Sequence, residues 1–225
     1  MEHINPYTNK PYKFQPKPEF EARMNKVLEL SGSNEKDKEA YWKIVHEEAI
    51  NSIRCNTLKI QPKELLEKLE KKGWKMKVPF KQHPEIMVIE AKLLPGELGR
   101  SKEHLLGYYY VQEISSMLPM LALKPNKEDS FVDLCASPGS KTTQAAAMME
   151  NKGNIIANDD NLGRMVILAS NLEKCGVSNT IVTRRGGVQL CQSLKKIDFQ
   201  VDKILVDAPC SGEGTIRSSP KTFLM

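Results

Sequence analysis

The sequence predicts an α/β protein: a parallel, doubly wound sheet in the C-terminal half, preceded by a small α+β module. Three observations predict it. From residue 130 onward, short apolar runs alternate with helix-like segments in the order of repeated βαβ units. Small-residue or acidic loops follow those runs, at the strand ends where open α/β sheets hold ligands. Upstream, helical and extended patterns mix without that regularity, which gives expected domains of 1–105 and 106–225.

Residues 1 to about 18 are polar and dotted with prolines, an arm or loosely packed lead-in. From Pro18 to about Thr57 the pattern is helical, and "AYWKIVHEEAI" places apolar residues three and four apart. "NSIRCNTLKI" reads as a strand, "QPKELLEKLEKKGW" as a helix with Pro62 in its first turn, and "PEIMVIEA" as another strand. After "LLPGELGRSKEHLLGYYY" the texture changes: "QEISSMLPMLAL" is helix-like and "KPNKED" a loop. The regular alternation then runs through strands "SFVDL", "GNIIA", "NTIVT" and "DKILV". The helices between them are "SKTTQAAAMME", "NLGRMVILASNLEKCG" and "GVQLCQSLKK".

Composition narrows the function classes. The chain has 225 residues, 40% hydrophobic and 27% charged, the balance of a globular protein able to bury a core. No apolar run approaches the roughly 20 residues that span a bilayer, and the first residues carry no signal-like stretch. The expectation is a cytoplasmic protein (nuclear or nucleolar in a eukaryote) without a membrane partner. Five cysteines form no C-x-x-C pair and four histidines are scattered, which argues against a disulfide framework and a metal site. A net charge of +5, with lysines gathered between residues 63 and 81, permits a nucleic-acid partner or simply a solvated helix.

The strand ends carry the chemistry. "FVDLCASPGSKTTQ" places Asp133 in a strand, then a loop of small residues entering a helix whose free N–H groups suit a carboxylate or phosphate. A phosphate-gripping Walker loop would need Gly at Cys135 and Ser140, and a dinucleotide fingerprint needs more glycines than Gly139 alone. In "IIANDDN", Asp159 or Asp160 suits ribose hydroxyls, or else caps the following helix. A ribose acid without a phosphate loop points to S-adenosylmethionine. The fourth strand runs into Asp207-Ala208-Pro209-Cys210, with a thiol where amine-directed methyltransferases carry an aromatic. A thiolate adding to carbon 6 of a pyrimidine makes carbon 5 nucleophilic, and an acid near ring nitrogen 3 stabilises the charge that develops. Cys210 is a candidate for such chemistry, or a small buried residue at a turn.

With "DLCASPGSKT" and "DAPCSGEGT" together, the chain resembles the Sun (nucleolar protein/Sun) family of RNA cytosine-5 methyltransferases. The resemblance runs in collinear order from "SIRCNTLK" through "GYYYVQEISSMLP" to "GTIRSSP". It implies a Rossmann-like S-adenosylmethionine-dependent domain and an RNA substrate, transfer or ribosomal, engaged partly by the N-terminal module. By the same resemblance Cys135, Ala136, Pro138, Gly139 and Lys141 match the cofactor loop. Asp159 matches the ribose acid and Arg164 the basic position after it. Asp207 matches the acid at the cytosine, at the edge of the cofactor site, followed by Pro209 and Cys210. Arg54 and Asn56 match a family pattern or brace a strand; Gln112, Glu113 and Ser116 line the cofactor cleft or cap and cover a helix.

Two departures stand out. Gly186 in "VTRRGG" takes the place of an Asp expected near the adenine edge. The family also uses two cysteines: an attacking one in a Thr-Cys-Ser motif after a fifth strand, and the Pro-Cys one, here Cys210, which helps release the product. The 225 residues contain no Thr-Cys pair. The expectation is therefore a C-terminally truncated catalytic half, whose fourth strand forms an open edge that could pair with another chain or with a missing C-terminal half. The alternatives are a non-catalytic fragment that binds RNA or cofactor, and cytosine-5 methylation with Cys210 as the nucleophile, as DNA cytosine methyltransferases use their own Pro-Cys.

Overall fold

The computed structural model describes residues 3–4, 11–12, 15–47, 49–91 and 93–217. The chain packs as two compact units, residues 1–49 with 209–225, and residues 50–208.

In the first unit, β1 (His3–Ile4) and β2 (Pro11–Tyr12) form an antiparallel ladder within the stretch expected to be an arm. α1 (Pro18–Leu30) begins on a proline, and Glu19 and Glu21 in its first turn suit the positive end of the helix dipole. α2 (Glu35–Val45) starts with a capping box, in which Asp37 N–H donates to the Asn34 side chain and Asn34 N–H to the Asp37 carboxylate. The helical stretch expected from Pro18 to about Thr57 is therefore two helices ending at Val45, separated at Gly32, whose φ is 81°. Phe20, Val45 and Ile216 form a small core with Met24, Tyr41 and Trp42 around it.

The second unit holds two sheets. β3 (Ser52–Cys55) is followed by α3 (Pro62–Lys71), β4 (Met76–Lys77), β5 (Ile86–Ile89), α4 (Glu97–Arg100), α5 (Lys102–Leu105) and β6 (Tyr109–Val111). The strands form an antiparallel sheet in the order β4-β5-β3-β6. α3 turns Leu65 and Leu69 into a core with Ile53, Trp74, Met87 and Tyr109. β4 and β6 escape a periodicity reading because ladders of two and three residues are too short to show one.

α6 (Ile114–Leu123) leads into the regular βαβ region: β7 (Ser130–Asp133), α7 (Ser140–Met148), β8 (Asn154–Asn158), α8 (Leu162–Cys175), β9 (Thr180–Thr183), α9 (Gly187–Lys196) and β10 (Lys203–Leu205). The strands are parallel, in the order β10-β7-β8-β9. This is the doubly wound sheet expected from the alternation. β7, at its centre, puts Phe131 into one core with Ala145, Ala146, Met149, Ile155 and Met120, and Val132 into another with Ile156 and Leu190. A short 3₁₀ turn (Glu213–Thr215) lies in the stretch that belongs to the first unit. Among the described residues no helix is long and apolar enough to cross a membrane.

Candidate functional site

Asp133, the loop from Cys135 to Gly139, Asp159 and Asp207 follow the carboxyl ends of β7, β8 and β10. β7 delivers Asp133 to its end, and residues 134–139 turn the chain into α7. Gly139 precedes that helix with φ 101°, a left-handed backbone that glycine adopts without strain. A Cβ there would stand 3.1 Å from Leu168 Cδ1 on α8.

The loop is braced from several sides. Gly139 N–H donates to Ala136 O at 2.7 Å, and Ala136 N–H to Asn158 O at 2.8 Å. Arg164 Nη2 donates to Ser137 O at 2.9 Å while the Ser137 hydroxyl donates to Arg164 O at 2.8 Å. Pro138 O accepts from Asn171 Nδ2 at 2.8 Å and from the Tyr110 hydroxyl at 3.2 Å. No side chain caps α7, which leaves its first-turn amides to an anionic group.

Asp133 is buried and accepts from the Thr142 hydroxyl through Oδ2 at 2.8 Å. Its Oδ1 has no hydrogen-bond partner. Burial pushes this carboxyl up to about 6, against the Thr142 hydroxyl, the Cys135 amide and the Lys141 charge. Cys135 is half-buried and free, its thiol likewise pushed up by burial.

At the end of β8, Asp159 is buried and Asp160 exposed. The cap of α8 is Asn161, whose side chain accepts from Arg164 N–H at 3.1 Å. Asp159 accepts from Asn161 N–H through Oδ1 at 3.1 Å, and Arg164 Nε lies 3.4 Å from its Oδ2. Arg164 thus ties the β8 acid to the β7 loop.

The third strand end meets the first through one ion pair. Lys141 Nζ, from the first turn of α7, lies 2.6 Å from Asp207 Oδ2 and also donates to Ser116 Oγ at 3.1 Å. The Lys141 side chain is 13% exposed and that of Asp207 56%, so the lysine is a fixed post and the acid faces solvent. Cys210 belongs to the unit of residues 1–49 and 209–225, where it is an exposed free thiol. Gly186 precedes α9, and a Cβ there would meet nothing nearer than Gln189 Oε1 at 3.7 Å.

Sequence reasoning passed over Asn158. Its Nδ2 donates to Leu134 O and Arg185 O, and its Oδ1 accepts from Arg185 N–H and the Thr183 hydroxyl. One buried amide thus fixes the loops after β7 and β9. A polar residue closing the apolar run "IIAN" was the available signal.

The residues at these strand ends suit a nucleoside with an amino-acid tail. The uncapped start of α7 can take a carboxylate, a buried acid stands at the second strand end, and the small loop side chains allow close approach. The orphaned Asp133 Oδ1 marks unused acceptor capacity beside that loop.

Two family profiles divide the chain between them. The N-terminal domain of 16S rRNA methyltransferase RsmF matches residues 17–114, and 16S rRNA methyltransferase RsmB/F matches residues 120–224. A ribosomal RNA small subunit methyltransferase F of Vibrio cholerae is 41% identical over 172 residues, 75% of this chain and 35% of the relative. The chain therefore spans about a third of the length of the curated relatives it matches. The solved structure of PH0851 is similar over 95% of this chain and 48% of its own, with a TM-score of 0.76 and 29% identity. A methyltransferase homolog protein from Pyrococcus horikoshii gives a TM-score of 0.68 and 34% identity over 77% of this chain and 55% of that one. With profiles matching residues 17–114 and 120–224, the chain belongs to the RsmB/F (Sun) family of methyltransferases.

Proposed function

We propose that this chain carries the cofactor-binding part, and one side of the base-binding part, of an enzyme that methylates carbon 5 of a cytosine in 16S ribosomal RNA. The observation that supports this most is the Lys141–Asp207 pair, which joins the cofactor loop's helix to the acid at the neighbouring strand end. The names of the curated relatives favour ribosomal over transfer RNA, and their bacterial origin favours a cytoplasmic setting.

When bound, S-adenosylmethionine supplies an electrophilic methyl group. Asp159, held by Asn161 and Arg164, would accept from its ribose hydroxyls. The first-turn amides of α7 would hold the carboxylate of its amino-acid tail. Lys141 occupies Asp207 Oδ2, which leaves Oδ1 to the N3–N4 edge of the base. A thiolate would add to carbon 6 of an unstacked cytosine as N3 takes a proton, and carbon 5 would take the methyl group while the demethylated thioether of the cofactor leaves. Loss of the carbon 5 proton to a base then expels the thiolate and restores the ring. Cys210 is assigned to product release, with the attacking thiol supplied by a Thr-Cys motif outside these residues. β10 forms one edge of the described sheet, with Ile204 and Val206 exposed, and a further strand could add there.

Calorimetry with S-adenosylmethionine tests the cofactor assignment: binding is expected, with Asp159→Ala weakening it by about tenfold or more. Absence of binding heat in the unaltered chain overturns it. Trapping on RNA carrying 5-fluorocytosine separates the roles of Cys210. An adduct formed by this chain and lost in Cys210→Ala reverses the assignment and makes Cys210 the nucleophile.

A further inference from the structure

Arg54 lies in β3, a central strand of the antiparallel sheet, and is 2% exposed. Its guanidinium leaves that sheet for the first turn of α7, where Nη1 donates to Ser140 O at 2.7 Å and Nη2 to Thr143 Oγ1 at 2.8 Å. Nη1 also bonds Gln112 Oε1 and reaches Gln144 Oε1 at 3.5 Å, and the Tyr110 ring centroid lies 5.5 Å away. Nε has no hydrogen-bond partner. Every acceptor is neutral. Burial pulls the group down to about 10, so it is still a cation at neutral pH.

A brace between the sheet and α7 does not require a charge, because Gln112 and Gln144 already bond each other across the same gap. A buried cation with no carboxylate among its contacts, Glu85 acting only from beyond hydrogen-bond range, is costly, and such costs concentrate at functional sites. Its distinctive effect is electrostatic. The guanidinium flanks the first turn of α7, whose uncapped amides already form the positive end of the helix dipole. Burial keeps its field poorly screened. An anion at the start of α7 gains from this, and under the cofactor reading above, on which this inference rests, that anion is the methionine carboxylate.

We infer that Arg54 is a positioning residue for the cofactor: it fixes the first turn of α7 and, as a charge behind that turn that no contacting carboxylate offsets, strengthens its hold on the carboxylate without touching it. The test compares S-adenosylhomocysteine, which has the amino-acid tail, with 5′-methylthioadenosine, which lacks it, by calorimetry. Arg54→Met removes the charge; Gln112→Glu keeps the guanidinium and places a carboxylate beside it. Both variants are expected to weaken S-adenosylhomocysteine by about tenfold or more while changing 5′-methylthioadenosine by less than about threefold. Equal losses for both ligands, the result of a brace alone, overturn the inference, as does unchanged S-adenosylhomocysteine binding in Gln112→Glu. If Arg54→Met does not fold, Gln112→Glu decides by itself. An unaltered chain that binds neither ligand sinks the cofactor reading and this inference with it, whereas normal binding that both variants retain sinks this inference alone.

Discussion

At Asp133 a single buried side chain makes the stability of the fold depend on pH. Its carboxyl rises from the ordinary 3.8 to about 6, chiefly through burial. A carboxyl that holds its proton more tightly when folded leaves stability whole below the unfolded value, and that stability is lost as the pH rises through about 6. A rise of about two units corresponds to ~3 kcal/mol. Asp133→Asn has nearly the same shape and still accepts from Thr142, but cannot ionise. Urea unfolding is expected to show the variant more stable than the parent by about 2 kcal/mol at pH 8, with little difference at about pH 3, below the unfolded value. Equal effects at both pH values would refute the burial account. Asp133 was legible in the sequence as an acid within a strand, whereas its pairing with Thr142, across the loop and into the helix, was not.

Among the elements, the chain leading into β6 packs closely against the end of α8. Gly107 has φ 71°, and a Cβ there would stand 2.0 Å from the Lys174 carbonyl oxygen. Around it, Asn56 Nδ2 donates to Gly107 O and Cys175 O, both at 2.8 Å, and Lys59 Nζ donates to Lys174 O at 2.6 Å. These bonds engage carbonyls at the end of α8 that helix geometry leaves without partners. Gly107→Ala must move α8, so a loss of about 3 kcal/mol or more is expected. Gly73→Ala, at φ 88° with nothing within 4 Å, is expected to cost only about 1 kcal/mol. Thermal melts of the two variants compare them, and similar losses would contradict the close-packing account. The apolar periodicity showed that α8 exists; the glycine against its end carried no local pattern and is visible only in the packing.

For the whole molecule, the lysines between residues 63 and 81 are the basic stretch that an RNA contact would draw on. α3 buries Leu65 and Leu69 and turns its charged residues outward. Several of the lysines noted in the sequence are paired there: Lys68 with Glu64, Lys72 with Glu103, and Lys75 and Lys77 with Glu90. Lys63, Lys71 and Lys81 are exposed and form no ion pair among the described residues. If this face engages RNA, replacing all three with Ala lowers affinity for a structured rRNA fragment. It also flattens the dependence of log K on log salt by about two to three. Filter binding across a salt series reads the slope, and an unchanged slope places the RNA contact elsewhere.

By itself the sequence determined the parallel βαβ half and the acids and small residues at its strand ends. Those features follow from local periodicity and from motifs contiguous in the chain. Only the tertiary structure decided how they are wired. It made Asn161 rather than Asp159 the cap of α8, turned Arg164 into a brace for the Ser137 carbonyl, and brought Lys141 to Asp207 across 66 residues. It also seated Arg54 of one sheet beneath the helix of the other. Buried polar groups must find partners wherever the fold brings them, and those partners are set by packing between elements far apart in the chain.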